Sequence, residues 1–420
     1  MTRTVFLNAR VFDGETMGRD RMTVVVEDDR IARLSPVPVE DREGDRRIDL
    51  NGRTVMPGMT TGHWHPDYDK LTLQELVGVP LGMTKPPAYL IAMAYRNLDA
   101  VLNSGVTRVL GAGCAFDIDA SFKMAINDGK FPGPRIMCGS RHINTTGNFN
   151  DNAHWWYDMG GAKNGLSFGP ADIFCDGPAE FAKATRMEIR RGAQIIKVFT
   201  SGGHGVMSPN ERRDVTPVEL AAVVEAAHDR GALVRSHCVG RAAVLATAKA
   251  GVDIIDHADE VDEECIETMA KHGCAWVPSM LLPRRLIDMG VLPPAVAASY
   301  QADFENVARM LPLADKAGVR VVPGDDYGIV ATPHVAGIYS EELAVYARDM
   351  SLPAEMLLRW ATVNGAAIMG DPAQGMIKEG SLADLVVVEG DPVADIALLA
   401  NPKNISGVMV GGKFVVDRLG

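Results

Sequence analysis

Residues 232–259 read ALVRSHCVGRAAVLATAKAGVDIIDHAD, two short apolar runs separated by a stretch with helical spacing. Apolar runs of this length that alternate with helices are typical of a parallel β-sheet that is buried on both faces. The first run carries His237 at its end, and the second carries His257. The segment therefore predicts a strand–helix–strand unit whose strand ends bear chemically active side chains.

The same alternation continues on both sides of this segment. The chain contains eight such apolar runs: VMPGMTTGHWH (55–65), VTRVLGAG (106–113), PRIMCGSR (134–141), AQIIKVFTSGG (193–203), ALVRSHCVG (232–240), VDIIDHADE (252–260), CAWVPSM (274–280) and VRVVPGDD (319–326). Eight parallel strands that alternate with helices close into a barrel. The pattern predicts an α/β fold, a (β/α)₈ TIM-like barrel.

Both ends of the chain have a different texture. Residues 1–57 read as short strands with β-branched residues or alternation, and SLADLVVVEGDPVADIALL and ISGVMVGGKFVVDR near the C-terminus read the same way. We predict a small β-sandwich domain built from both chain ends, residues 1–57 plus 376–420. The barrel would then span residues 58–375.

The composition argues against several classes of protein. A net charge of −12 without a clustered Lys/Arg face disfavours nucleic-acid binding. Six cysteines without CxxC spacing indicate reduced thiols, and the sequence shows neither a signal peptide nor a membrane-length apolar run. We expect a cytoplasmic homo-oligomer that acts on a small-molecule substrate, with no nucleic-acid or membrane partner.

The strand ends carry the chemistry, because barrel enzymes place catalytic groups at the C-terminal ends of their strands. Five of the eight runs carry histidine, lysine or aspartate at or near their ends: His63, His65, Lys197, His237, His257, Asp325 and Asp326. His63 and His65 are two residues apart on a strand, so both can bind one metal ion from the same face. Such a pair is weak evidence for a metal site by itself, but the further residues at strand ends favour one.

Lys197 is the least expected member of this set. An ammonium group in the apolar strand QIIKVF is costly to bury and does not bind a metal while it is protonated. One interpretation is an ion pair with a neighbouring acid. The other, which we favour, is reaction with CO₂ to a carbamate whose two oxygens bridge two metal ions.

Asp325 and Asp326 present a choice between neighbours. A carboxylate beside a metal site can bind the ion, accept a proton from water and later deliver it to a leaving group. Adjacent residues on a strand point to opposite faces, so only one of the two faces the barrel centre.

The order HxH, Lys, His, His, Asp over eight strand ends is similar to the amidohydrolase superfamily of the binuclear carboxylated-lysine type. VMPGMTTGHWH and GSLADLVVVEGDP resemble the strands that enter and leave its barrel. The segments IIKVFTSGG, GVDIIDHADEVDEECIETMAKHG and PGDDYG resemble the branch of Xaa-Pro dipeptidases, imidazolonepropionase-like proteins and ochratoxin-type amidases.

This resemblance implies two divalent metal ions, zinc by default, with Co²⁺, Mn²⁺ and Ni²⁺ as alternatives. His63, His65 and Asp326 would bind one ion, His237 and His257 the other, and carboxylated Lys197 would bridge them. Asp326 is the choice because GDDYG matches the branch's usual Gly-Thr-Asp-Ala-Gly. The implied catalytic residues are Asp326, Lys197 and His237, with Asp326 as the proton shuttle for a hydroxide that bridges metals about 3.5 to 4 Å apart.

Candidate substrate contacts lie in the loops after the strands: Tyr68, His142, Phe149, His154, Trp155, Val239 and His334. Several mark departures from the branch, which often has a second histidine where Val239 stands and Thr-Gly-Gly-His where residues 146–149 read Thr-Gly-Asn-Phe. An additional His204-Gly205 also follows the Ser-Gly-Gly at 201–203. Each aromatic residue could equally pack over the barrel rim, but as a group they suggest an apolar or aromatic substrate.

Three hypotheses follow for the function. The first is hydrolysis of an amide C–N bond in a small aromatic or apolar-substituted substrate, such as an N-acyl amino acid or an aryl amide. The second is a different substrate: an Xaa-Pro dipeptide, or a carbamate, urea, lactone or cyclic imine. The third, a non-catalytic metal-binding scaffold, is disfavoured because structural metal sites are normally closed by four ligands.

Overall fold

The alternation of strands and helices is retained in the computed structural model, which describes residues 3–72, 85–151, 171–205 and 208–419. In chain order the strands are β1 (Arg3–Val11), β2 (Met22–Glu27), β3 (Arg30–Ser35), β4 (Arg46–Asp49), β5 (Thr54–Pro57), β6 (Met59–Trp64), β7 (Val106–Gly111), β8 (Arg135–Met137), β9 (Gly139–Asn144), β10 (Asp172–Phe174), β11 (Ile195–Phe199), β12 (Leu233–Cys238), β13 (Ile254–His257), β14 (Ala275–Val277), β15 (Arg320–Val321), β16 (Leu385–Val388), β17 (Ile405–Val410) and β18 (Lys413–Asp417).

The helices lie between the barrel strands and after them. In chain order they are α1 (Pro87–Asn103), α2 (Ile118–Asn127), α3 (Pro178–Arg190), α4 (Pro217–His228), α5 (Arg241–Lys249), α6 (Glu263–His272), α7 (Leu281–Met289), α8 (Pro294–Lys316), α9 (Ile338–Asp349), α10 (Ala354–Arg359) and α11 (Gly365–Ile368). A π-helical turn, Trp360–Asn364, joins α10 to α11. Among the described helices, none is long and apolar enough to cross a membrane.

The barrel is assembled from two parallel ladders. Strands β6, β7 and β8 form one, and β9 with β11 to β15 form the other, with β10 added at the outer edge of β9. The third apolar run is divided at Cys138 into β8 and β9. Gly62 donates its N–H to the Pro323 carbonyl at 2.6 Å, which joins β6 to the segment after β15. Each of the eight runs supplies strand structure, so the predicted (β/α)₈ barrel is confirmed.

The lower part of the barrel interior is apolar. Side chains from five strands or their ends pack together there: Leu110, Ile195, Ile254, Ala275, Val277 and Val322. Alternate residues of a strand share a face, so Lys197 lies on the face of Ile195 and Asp256 on the face of Ile254. Both polar residues are nearer the C-terminal ends of their strands. The charged site therefore lies above an apolar floor.

The ends of the chain meet in one mixed sheet with the order β18-β17-β16-β5-β1-β2-β3, in which β4 also pairs with β1. Strand β16 pairs antiparallel with β5, so that Leu385 lies opposite Pro57. This pairing confirms the small β-domain built from both ends. The boundaries 1–57 plus 376–420 and 58–375 stay a prediction.

A buried ion cluster connects this sheet to the barrel. Asp384, just before β16, accepts hydrogen bonds from Arg108 at 3.0 Å and from Arg135 at 2.7 and 3.0 Å. Arg108 lies in β7 and also donates to the Gly58 carbonyl at 3.0 Å. Because Arg108 and Asp384 are fully buried, the cluster ties the two layers together where water is excluded.

Candidate active site

The first donor group consists of His63, His65 and Asp326 at the ends of β6 and β15. The Nε2 atoms of the two histidines are 3.0 Å apart, and Asp326 Oδ1 lies 3.0 Å from His63 Nε2 and 3.4 Å from His65 Nε2. His65 Nδ1 is hydrogen-bonded to the Gly113 carbonyl at 2.7 Å, which leaves Nε2 aimed at the group. Such a partner on the far ring nitrogen is how metal-binding histidines are normally oriented.

The two aspartates point in different directions. Asp325 is fully buried, and its carboxylate accepts from the N–H of Leu282 at 2.9 Å and from that of Asp326 at 2.6 Å. Burial and the nearby Glu342 raise the pKa of Asp325. Burial alone would also raise the pKa of Asp326, but His63 and His65 hold it well below its usual range. Of the two, Asp326 is the one that faces the histidines.

Asp256 lies at the centre of a buried charge cluster. Its carboxylate is 2.6 Å from Lys197 Nζ, 2.6 Å from Arg235 Nη2 and 3.5 Å from His63 Nδ1. Burial alone would raise the pKa of Asp256, but Arg235 and Lys197 lower it well below its usual range. Lys197 thus makes the ion pair considered as the alternative to a carbamate, and burial lowers the pKa of its amine despite Asp256. The carbamate stays a prediction.

The histidines at the ends of β12 and β13 are held in their neutral form. Burial lowers the pKa of His237 and of His257 well below the usual range, and lowers that of His65 to about 3. The ring centroids of His237 and His257 are 4.5 Å apart. His237 Nε2 lies 3.2 Å from the Gly203 carbonyl, whereas neither ring nitrogen of His257 has a hydrogen-bond partner within the described segments. Neutral imidazole is the form that binds metals.

A second donor group contains a histidine that the sequence analysis left without a role. His204, His257 and Asp326 offer ligand atoms that all lie within 4.8 Å of one another, as do those of His63, His65 and Asp326. Asp326 therefore belongs to both groups, and His237 belongs to neither in the described part of the chain. Imidazole nitrogens with one shared carboxylate suit a divalent transition metal, so the residues present fit a metal centre. Burial alone would lower the pKa of His204, but Asp259 raises it to about 9, so this ring would give up a proton on binding an ion.

His142 lies beside these groups on β9. Its Nδ1 is 3.2 Å from Asp172 Oδ1, while its Nε2 is buried and, in the part of the chain that the structure describes, has no hydrogen-bond partner. Asn144 and Asn150 also donate to Asp172, at 3.0 and 2.9 Å. A Cβ on Gly113 would lie 2.3 Å from His142 Nε2, so only glycine leaves room for this ring. The arrangement holds a histidine nitrogen toward the cavity.

An open cavity lies over the donor groups, and aromatic residues form part of its wall. Tyr68 stacks on His65, with ring centroids 4.2 Å apart and 2° between the planes. Phe149 meets Phe199 edge to face at 5.1 Å. Of the proposed substrate contacts, Tyr68, His142 and Phe149 line this cavity.

Val239 and His334 are not on the cavity wall formed by the described residues. Val239 is fully buried, and a Cβ on Gly203 would lie 2.8 Å from it. His334 uses both ring nitrogens on protein partners, the Tyr339 hydroxyl at 2.7 Å and the His65 carbonyl at 3.0 Å. Both side chains support the site from behind. His154 and Trp155 lie outside the described residues.

Sequence reasoning did not assign four acidic or histidine residues of the site: Asp172, His204, Asp256 and Asp259. Asp256 carries a detectable signal, since it directly precedes His257 and shares the inward face of Ile254. The other three act through partners that are distant in the sequence. Their roles depend on loops and on β10, none of which the pattern of apolar runs predicts.

Comparison with known proteins agrees with this geometry. The amidohydrolase family profile matches residues 54–415. The chain therefore belongs to the amidohydrolase family. Ochratoxinase of Aspergillus niger is 29% identical over 381 residues, which cover 86% of this chain and 75% of that protein. The resemblance drawn from the strand ends is thereby confirmed, and the chain is a hydrolase that acts on carbon–nitrogen bonds.

Solved structures extend the likeness over the whole fold. An amidohydrolase is 26% identical with a TM-score of 0.85 and covers 100% of both chains. A prolidase solved with N-methylphosphonate-L-proline is 26% identical with a TM-score of 0.83, covering 99% of this chain and 100% of that chain. The structure of A. niger ochratoxinase, 24% identical with a TM-score of 0.83 over 99% and 96% of the two chains, supports the fold alone.

Proposed function

We propose that this protein hydrolyses an amide bond in a small substrate with an aromatic or extended apolar group, such as an N-acyl amino acid or an aryl amide. The observation that carries the proposal is the placement of both donor groups and an aromatic wall in one cavity. The metal ligands define the bond-breaking end, and Phe149 with Phe199 offers apolar surface for the rest of the substrate.

We propose two resident divalent ions, with zinc as the default. His63, His65 and Asp326 would hold one, and His237 and His257 the other, with Lys197 as a bridging carbamate. When bound, such ions would supply a Lewis acid for the substrate carbonyl and would lower the pKa of a water molecule toward about 7. Conversion of Lys197 to a carbamate removes its positive charge, and Asp256 would then keep Arg235 as its cationic partner at 2.6 Å.

Asp326 is the residue to which we assign proton transfer. Its carboxylate is ionised and faces both histidines of the first donor group, and 17% of its side chain is exposed. That exposure leaves an oxygen edge accessible from the cavity. Asp326 would accept a proton from the attacking water and deliver it to the leaving amine.

His142 and Tyr68 are assigned to substrate positioning. His142 presents Nε2 at the cavity while Asp172 holds the opposite ring nitrogen. Tyr68 is fixed by stacking on His65, and Asn97 donates to its backbone carbonyl at 3.1 Å. Rigid placement of this kind keeps a substrate carbonyl near the reacting centre.

A second candidate function is an Xaa-Pro dipeptidase. The prolidase solved with N-methylphosphonate-L-proline shares 26% identity over nearly the full length of both chains. This likeness favours a small dipeptide as the substrate class. The aromatic pair Phe149 and Phe199 favours the bulkier amides.

A substrate panel at one fixed metal concentration separates the two. We expect N-acyl aromatic amino acids or aryl amides to exceed Xaa-Pro dipeptides in kcat/KM by about tenfold to hundredfold, the scale of one specific polar contact worth about 1.5 to 3 kcal/mol. Aryl carbamates in the same panel test the alternative bond. Phe149→Leu should reduce the preference, whereas Phe131→Leu, away from the cavity, should not. Higher kcat/KM for the dipeptides would replace our proposal with the dipeptidase.

The cellular setting is also a proposal. All six cysteines are buried and free, which supports a reducing compartment such as the cytoplasm. Assembly into a homo-oligomer stays a prediction, which sedimentation of the purified protein would test.

A further inference from the structure

The loop after β11 carries His204 into the active site. His204 adopts a left-handed backbone with φ of 50°, between Gly203 at 95° and Gly205 at 87°. Left-handed backbone is costly for a residue with a Cβ and persists only where the surroundings impose it. The two flanking glycines make the turn feasible. The loop thus adopts an energetically unfavourable backbone conformation that places this one side chain in the site.

The ring of His204 is held on two sides. Its Nδ1 lies 2.9 Å from Asp259 Oδ2, and its ring stacks on His257 with centroids 3.9 Å apart and 22° between the planes. The side chain is 1% exposed, and its Nε2 is buried without a hydrogen-bond partner among the described residues. An unpartnered buried nitrogen is unfavourable unless a ligand satisfies it.

The neighbours of this nitrogen are themselves metal-type donors. His204 belongs to the second donor group with His257 and Asp326, whose ligand atoms lie within 4.8 Å of one another. Because Asp259 occupies its Nδ1, Nε2 is the ring nitrogen left for a ligand. We propose that His204 is a ligand of the second divalent metal ion, and that Asp259 is its positioning residue. This inference rests on the proposed metal-dependent function and adds a ligand that the strand ends did not supply.

The donor set has the chemistry that a divalent transition metal requires. The imidazole nitrogens of His204, His237 and His257, with the nearby carboxylate of Asp326, are donor types that suit Zn²⁺ or Co²⁺. Asp259 bonded to the far nitrogen is the usual carboxylate–histidine–metal arrangement. When Nε2 takes up a metal ion, any proton on that atom leaves to solvent.

The structure also explains how the loop reaches this position. A Cβ on Gly203 would lie 2.4 Å from Asn210 Oδ1 and 2.8 Å from Val239 Cγ1. Glycine therefore lets the backbone pass close to β12 and its following loop. Val239, which does not line the cavity, packs under this approach, so its contribution is to the position of His204.

Metal content measured on the purified protein tests the proposal. The chain would be prepared with Zn²⁺ and with Co²⁺, and the bound ions counted by mass spectrometry during competition with a chelator. We expect His204→Gln to weaken binding of the second ion by at least tenfold and to change the visible absorption of the Co²⁺ form. His272→Gln, an exposed histidine at the end of α6, is the matched control and should bind both ions as the wild type does.

Asp259→Asn provides a second route that keeps the ring in place. Loss of an outer carboxylate commonly costs about tenfold to hundredfold in metal affinity, so this variant should weaken the same ion. Comparison of the metal-free melting curves of both variants and the wild type would identify a folding defect. If His204→Gln fails to fold, the Asp259→Asn titration decides the question.

The outcomes separate the two proposals. If both variants hold two ions with wild-type affinity while KM rises, His204 contacts substrate and is not a ligand, and the proposal is overturned. A wild-type protein that holds no divalent ion would instead refute the proposed metal-dependent function, together with everything that rests on it.

Discussion

At the scale of single residues, the site depends on charges that are buried with their partners. Lys197 and Asp256 are fully buried, and their 2.6 Å contact satisfies both. Removing one partner of such a pair leaves an uncompensated charge, which is more costly than losing the attraction itself. Substitutions at these positions therefore report on metal binding only when the metal content is measured as well.

Lys197→Ala should lose most of the bound metal and most of the activity, because it removes both oxygens of the proposed bridge. Short carboxylic acids added to the variant should restore part of both, since a carboxylate can occupy the place of the carbamate. The measurements are metal per chain and kcat with and without added acid. A metal-replete, fully active Lys197→Ala protein would rule out the bridging role.

The effects of Asp326→Asn and Asp325→Asn should differ, the first mainly in activity and the second mainly in stability. Asp326 faces the two histidines, so its amide variant should lower kcat by several orders of magnitude. Asp325 accepts hydrogen bonds from two backbone N–H groups, so its variant should mainly lower the free energy of unfolding. Steady-state kinetics and urea unfolding on both variants provide the comparison. The opposite ranking in kcat would show that the roles are exchanged.

At the scale of elements, the ends of strands and helices set the direction of the site residues. Ile254 and Asp256 share the inward face of β13, so His257 would point outward if the strand continued regularly. The backbone turns left-handed at His257, with φ of 69°, and the strand ends there. This local turn brings the His257 ring to 4.5 Å from that of His237.

Thr216→Ala tests how one helix is fixed at its start. Thr216 and Glu219 form a reciprocal cap at the beginning of α4, and Pro217 follows the cap. Loss of the threonine hydroxyl should lower the free energy of unfolding by about 1 kcal/mol, with little change in kcat. Thr268→Ala, within α6, is the control and should change the free energy of unfolding by less than about 0.5 kcal/mol. Equal effects in urea unfolding would contradict the cap.

At the scale of the whole molecule, the mixed sheet and the barrel are joined through Asp384. Arg108 and Asp384 are both fully buried, and Arg135 adds a second guanidinium. Burial alone would raise the pKa of Asp384, but the two arginines and the Gly411 N–H lower it. The joint therefore depends on an ionised carboxylate.

Asp384→Asn should lower the free energy of unfolding by about 3 to 5 kcal/mol at neutral pH, because Arg108 would be left buried without its partner. Since the pKa is lower in the folded state, the contribution of Asp384 is present above the usual value of 3.8 and is lost as the pH falls through the folded-state value. The difference between wild type and variant should thus narrow in acid, as measured by urea unfolding at several pH values.

The partly exposed pair of Arg46 and Asp417 offers a control for this experiment. Exposed ion pairs contribute about 0 to 1 kcal/mol, so Asp417→Asn should have a small effect at every pH. A pH-independent gap between wild type and Asp384→Asn would show that the carboxylate charge is not what holds the joint.

The sequence by itself determined the barrel, the meeting of the two chain ends and the residues at the strand ends, because strand periodicity is a local property that the pattern of apolar residues records. The resemblance of GDDYG already favoured Asp326 over Asp325, whereas only the tertiary structure decided that Asp256 is the partner of Lys197 and that His204 enters from a loop. The tertiary structure also placed Val239 and His334 behind the cavity. These outcomes depend on contacts between residues far apart in the chain and on left-handed backbone in loops, which no local pattern specifies.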